Sequence, residues 1–288
     1  MQVELRNLRG RNHPMRVTLV IGVGLIFSIM LCLARPVQLG LDYHRFADQR
    51  TIWGIPHGLD VTSNAPFVLA GVMGIVYLAR RTARTSFLES RERIPYLVFF
   101  AGAALTGIGS AYYHYDPQNS RLVWDLLPMT LCFMSLLDAA IVERISVKAG
   151  LWLLWPFLAL GIASVLYWYA GGRGDLRFYL FVQFFPALPI AMMIALFPPR
   201  YTRTTDLFVA FILFGLAKLF ELFDRPIYSA GHIISGHALK HVTAGVSCYW
   251  ILHMLQHRRG EPRRETRPDA ATVVPGMPFQ FRSSRGQH

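Results

Sequence analysis

Charge is scarce in this chain. Asp, Glu, Lys and Arg make up 16% of its 288 residues, while 53% are hydrophobic. A soluble domain carries about a quarter charged residues, so the composition excludes an ordinary soluble protein and points to an integral membrane protein. Cysteine is scarcer still. Cys32, Cys132 and Cys248 are isolated and form no CxxC pair, which leaves neither a disulfide framework nor a cysteine-based metal cluster. All three fall in apolar runs and read as small buried side chains. Short segments of alternating hydrophobicity are absent, which excludes a membrane β-barrel. No internal repeat occurs, and the GxG at 22–24 lies inside an apolar run with no strand before it, so it is not a nucleotide loop.

What is present is a series of long apolar runs. Eight of them, at 15–34, 61–79, 95–114, 122–142, 150–170, 177–197, 205–223 and 237–256, are each close to the roughly 20 residues that cross a bilayer as a helix. Lipid offers no water to satisfy open backbone groups, so the expected fold is an all-α bundle. Residues 1–14 form a basic N-terminus, 35–60 a long outer loop, and 257–288 an Arg- and Pro-rich tail without apolar periodicity, expected to be disordered.

The net charge of +12 could indicate nucleic acid, but the basic residues sort by loop. Before the first run and after the second, fourth, sixth and eighth there are 20 Lys and Arg. The alternate loops hold 7, and Lys218 and Lys240 sit within or at the end of runs. The positive-inside rule then places both termini in the cytoplasm, and a basic face towards anionic lipid accounts for the charge without nucleic acid. The first run, with its Arg-rich start and "CLA" ending at Ala34, also has features of a signal peptide. It is long for one, and it is read here as a retained extra span.

Polar residues within or beside spans are costly and are functional hypotheses by default. On this topology they gather on one face. Ser110 and His114, four residues apart in "GSAYYH", end the third span on the outer side, and Asp125 opens the fourth from that side. His237 and His241 open the eighth on one helical face, Glu221 and Asp224 close the seventh, and Asp60 and Asn64 open the second. Three histidines from two helices suit zinc, with a fourth position left for water whose pKa the metal lowers. Asp125 would then serve as general base and Ser110 would stabilise the oxyanion. The bland readings are an interfacial role for the other histidines, a structural role for Asp138, and mutual pairing for Lys218, Glu221 and Asp224. The aromatic residues, such as Tyr112 and Trp124, suit an interfacial belt.

"GIGSAYYHYDPQNSRLVWDLLPM" followed by "HALKHVTAG" resembles the alkaline ceramidases, within a superfamily of membrane hydrolases that includes the adiponectin receptors and GPI-anchor remodelling proteins. The likeness runs in order and spacing from about Asp60 to His257, with strong identity confined to these motifs. It implies a seven-helix hydrolase core, here after one extra span, with zinc held by His114, His237 and His241 and with Ser110 and Asp125 as the catalytic pair. "DVTSNAPF" is similar to the start of that core, around Ser63 and Asn64. The acidic run that the family associates with calcium is missing. Only Asp60 and Asn64, with Asp42 and Asp48 further back, stand near its place, which weakens the case for calcium.

The expectation is therefore a zinc-dependent amidohydrolase of a ceramide-like N-acyl lipid, with Asp60, Asn64, Lys218, Glu221 and Asp224 as supporting or headgroup-contacting residues. The substrate partner is a membrane lipid; no nucleic acid is expected, and the oligomeric state is left open. In a bacterial cell the outer face would be the periplasmic side of the inner membrane. Alternatives are a lipid ester hydrolase with the same metal chemistry, a metal-binding receptor or transporter, and bis-histidine haem binding.

Overall fold

A computed structural model describes residues 2–40, 42–171 and 174–261. Most of the expected tail, at 262–288, therefore lies outside the described residues. Among those residues the fold is helical, and the only β pairings are three isolated bridges. The long elements are α1 (Gln2–Leu33), α3 (Ala65–Ala79), α4 (Arg93–Tyr115), α5 (Asn119–Arg144), α6 (Val147–Leu166), α9 (Asp206–Leu222) and α11 (Gly236–His257). Shorter helices are α2 (Gly58–Thr62), α7 (Arg177–Phe184), α8 (Ala187–Leu196) and α10 (Asp224–Ser229).

Among the described residues six helical stretches are long and apolar enough to cross a membrane: His13–Leu33, Gly58–Ala79, Ser90–Tyr115, Asn119–Arg144, Val147–Ala170 and Arg177–Leu196. The last two runs expected as spans fall outside this group. The seventh, α9, has 17 residues, and α11 carries His237, Lys240 and His241 in its first two turns. Large apolar side chains on the outside, among them Trp152 at 76% and Ile212 at 69% exposure, reverse the pattern of a soluble protein and are compatible with a multi-pass membrane protein. α1 is the most peripheral of these helices, with none of its apolar stretch fully buried. It touches the bundle through Arg16, which donates to the Leu196 carbonyl at 2.7 Å, and through a Phe27–Phe185 ring contact.

Glycine sets the closest helix crossings. At Gly109 on α4 a Cβ would lie 1.9 Å from the Trp124 carbonyl oxygen of α5, so the two backbones nearly touch. At Gly236 a Cβ would lie 2.2 Å from the Phe220 carbonyl oxygen, which brings the start of α11 against the end of α9. At the opposite end of the bundle a buried polar network ties the helices together. Glu92 accepts from Arg200 at 2.9 Å and from Tyr201, and Arg258 pairs with Glu143. Arg258 is 3% exposed, and its Nε donates to the Ser86 carbonyl at 3.0 Å. The chain at Arg258–Glu261, expected as the start of a tail, is instead docked, with Thr202 and Glu261 exchanging backbone bonds with Arg259 and Arg200. A guanidinium with a buried carboxylate and three aromatic rings around it holds its place, which composition alone does not reveal.

Candidate metal centre

The site forms where four helix ends meet. α4 stops at Tyr115 because Pro117 keeps Asp116 out of helical conformation, at φ −152° and ψ 88°. The short turn that follows sends α5 back antiparallel from Asn119. His114 thus stands in the last turn of α4 and Asp125 in the second turn of α5. On the facing side Ser235 caps α11, its hydroxyl accepting from the Ala238 N–H at 2.9 Å and donating to Asp60 Oδ1 at 3.0 Å. Asp224 Oδ1 accepts the His237 N–H at 2.8 Å, a carboxylate placed at a helix N-terminus where unpaired amide donors favour it.

These ends bring His114, His237 and His241 together. Their exposures are 0%, 7% and 3%, and one ligand nitrogen from each lies within 4.8 Å of the others. Among the described residues this is the one group of three or more potential ligands that converges. His114 Nε2 and His237 Nε2 stand 3.2 Å apart. Two nitrogens on a tetrahedral ion at about 2.0–2.1 Å would be about 3.4 Å apart, so the separation suits a shared metal. The Nδ1 side of His241 is engaged, at 2.9 Å from Ser63 Oγ, and Ser63 also reaches the Asp60 carbonyl at 3.2 Å. One assignment satisfies both contacts. His241 Nδ1–H donates to Ser63, the Ser63 hydroxyl donates to the carbonyl, and the Nε2 lone pair is left free for a metal. The three residues could therefore hold a metal ion.

Around the histidines the surroundings differ from the expected set in instructive ways. Asn64 stands near the same ring, its Nδ2 3.4 Å from His241 Nδ1, but it donates to the Asp60 carbonyl at 2.8 Å and leaves Ser63 as the partner of His241. Asp224 supports His237 through its backbone, and its Oδ2 accepts the Ala47 N–H at 2.9 Å. That bond anchors the outer loop so that Phe46 lies over the site, its ring 4.6 Å from the His114 ring and 4.5 Å from the His237 ring. His44, read from sequence as interfacial, bridges Tyr113 Oη at 2.8 Å and Asn119 Oδ1 at 2.9 Å, pinning the loop to α4 and α5. Asp48, in the same loop, accepts Arg50 Nε at 2.8 Å and Nη2 at 2.7 Å. Burial acts to raise its pKa, but these bonds outweigh that effect and hold the carboxyl below the usual range. No pattern in the sequence flags Phe46 or His44, because loop residues reach the site only through tertiary hydrogen bonds.

Ser110 and Asp125, 2% and 6% exposed, interact with each other and line one end of a cavity of about 520 Å³. His241, Lys240, Lys218, Glu221 and Tyr43 share that polar end. The remainder runs between helices past apolar side chains such as Phe133, Phe184, Phe211 and Ile251. Its volume falls within the usual range of small-molecule sites. His241, Ser110 and Asp125 line this cavity together with Glu221 and Lys218, whereas His114 and His237 converge with His241 from off the cavity wall. Asp60 and Asn64 lie behind His241, off the cavity wall. No family model matches this sequence, and no curated protein matches it.

Proposed function

We propose that the protein is a zinc-dependent, ceramidase-like hydrolase that cleaves the N-acyl bond of a membrane lipid. The observation that carries this reading is a group of three converging buried histidines, one of which, His241, lines the same apolar cavity as Ser110 and Asp125. An all-imidazole set suits zinc, which when bound acts as a Lewis acid and lowers the pKa of water. The chain's own residues do the rest. The apolar cavity holds the acyl chain, and the scissile carbonyl lies at the Ser110–Asp125 end. Asp125 takes a proton from the attacking water as its oxygen bonds to the acyl carbon. Ser110 donates to the carbonyl oxygen as negative charge develops there. The C–N bond then breaks, and Asp125 returns the proton to the amine nitrogen.

In this reading α9 and α11 also cross the membrane. That gives eight spans, both termini in the cytoplasm and the site near the outer face, as the distribution of Lys and Arg supports. The test is metal analysis of purified protein together with fatty-acid release from matched N-acyl and O-acyl lipids, before and after chelation. The expected result is one zinc per chain, and amide cleavage that chelation and His241→Ala both abolish. Hydrolysis that survives loss of His241 would refute the proposal. Preferential cleavage of the O-acyl lipid would redirect it to an esterase.

A further inference from the structure

A neutral lipid amide gives no reason for the lysines at the polar end of the cavity. Lys218 on α9 and Lys240 on α11 both line it, and both reach one carboxylate: Lys218 Nζ lies 2.8 Å from Glu221 Oε2, and Lys240 Nζ lies 2.9 Å from Glu221 Oε1. Each ammonium has three donors, so each uses one on Glu221 and keeps two. Lys218 also lies 5.7 Å and 5.9 Å from the Phe184 and Phe214 ring centres, contacts that hold the cation without accepting its protons in conventional hydrogen bonds. The side chains are only partly exposed, 29% for Lys218 and 16% for Lys240, so solvent screening is limited.

The wall charges are matched, with two carboxylates, Glu221 and Asp125, facing the two lysines. Glu221 nevertheless takes only one N–H donor from each ammonium. The remaining donors stand in a mostly apolar chamber, where a further charge-assisted bond to an anion is favourable.

We propose that Lys218 and Lys240 form a recognition site for an anionic group on the lipid, a carboxylate or phosphate carried close to the hydrolysed bond. This inference rests on the hydrolase reading for its substrate but not for its test, which measures binding alone. An acidic N-acyl lipid would be selected over a neutral one. Glu221 positions the two ammonium groups, and the acyl chain extends past Phe133, Phe184 and Phe214.

The experiment uses full-length protein in neutral-lipid nanodiscs, metal-loaded and chelated, and compares binding of hexadecyl phosphate, hexadecanoate, hexadecanol and inorganic phosphate. The anionic chains should bind at least about tenfold more tightly than the alcohol, a preference on the scale of one charge-assisted contact, in both metal states. Inorganic phosphate should bind far more weakly than hexadecyl phosphate, which would assign the site to a lipid-borne anion. Lys218→Gln with Lys240→Gln should abolish the preference while the alcohol still binds, and Lys240→Arg should retain it. Alcohol binding reports that the variant remains folded. Equal affinity for anionic and neutral chains would overturn the proposal and leave the lysines as a brace between α9 and α11. So would a preference that survives the double variant or disappears with the metal. Loss of hydrolysis in other assays would not alter any of these outcomes.

Discussion

Gly109→Ala tests whether the α4–α5 contact sets the geometry of the site. The added Cβ would lie 1.9 Å from the Trp124 carbonyl oxygen and 2.7 Å from its carbon, both backbone atoms that no rotamer change can move. Relief to an ordinary carbon–oxygen contact needs a displacement of about 1.3 Å, and overpacking of this kind costs roughly 1–3 kcal/mol. The displacement acts where it matters, because Ser110 is the next residue on α4 and Asp125 follows Trp124 on α5. A misplacement of about 1 Å at a reacting centre can cost on the order of 100-fold in rate. The expected result is a lower thermal midpoint and amide hydrolysis reduced about 100-fold, with metal content less affected because His237 and His241 stay on α11. Gly22→Ala in α1 is the control, since a Cβ there meets nothing within 4 Å. Full hydrolytic activity in Gly109→Ala would refute the claim that this crossing holds the catalytic pair in register.

Further expectations concern the metal and the buried acids. Ser63→Ala removes the partner of His241 Nδ1 and should weaken zinc binding about 10–100-fold, read by competition with a chelating dye, while Thr62→Ala should not. Saturating zinc at about 100–1,000 times its dissociation constant should raise unfolding free energy by roughly 3–4 kcal/mol, and His114→Ala should abolish this gain in thermal scans. Asp138 on α5 is 0% exposed with neither carboxylate oxygen hydrogen-bonded. Asp138→Leu keeps the branching and removes two unpaired acceptors, so it should be neutral or stabilising by about 1–3 kcal/mol. A large loss of stability would reveal a partner for Asp138. Asp48 holds its outer-loop contact only while ionised, and its carboxyl titrates below the normal range. That contribution should be complete above about pH 4 and fade as the pH falls below it, and Asp48→Asn should remove the dependence.

The sequence was most legible where chemistry is expensive. An imidazole or carboxylate in an apolar run needs a partner, so His114, Asp125, His237 and His241 stood out, and helical spacing with loop charge brought them to one face. The structure joins the three histidines, and Asp125 lines the cavity that His241 also lines. Phe46 and His44 were hidden because a loop's position depends on bonds such as Ala47 N–H to Asp224, which no local pattern encodes. The DVTSNAPF stretch marked Ser63 only as part of a helix start; its bond to His241 was hidden because a small hydroxyl there costs little and therefore signals little. Lys240 carried a different ambiguity. Beside His241 in sequence, it read as a residue at a helix end with no assigned partner, and only its shared carboxylate with Lys218 turns it towards the cavity. Helix periodicity reports which face a residue occupies, whereas the charge balance of a cavity depends on which helices meet there. The histidine group could be read from the first kind of information, and the anion preference proposed for the lysines required the second.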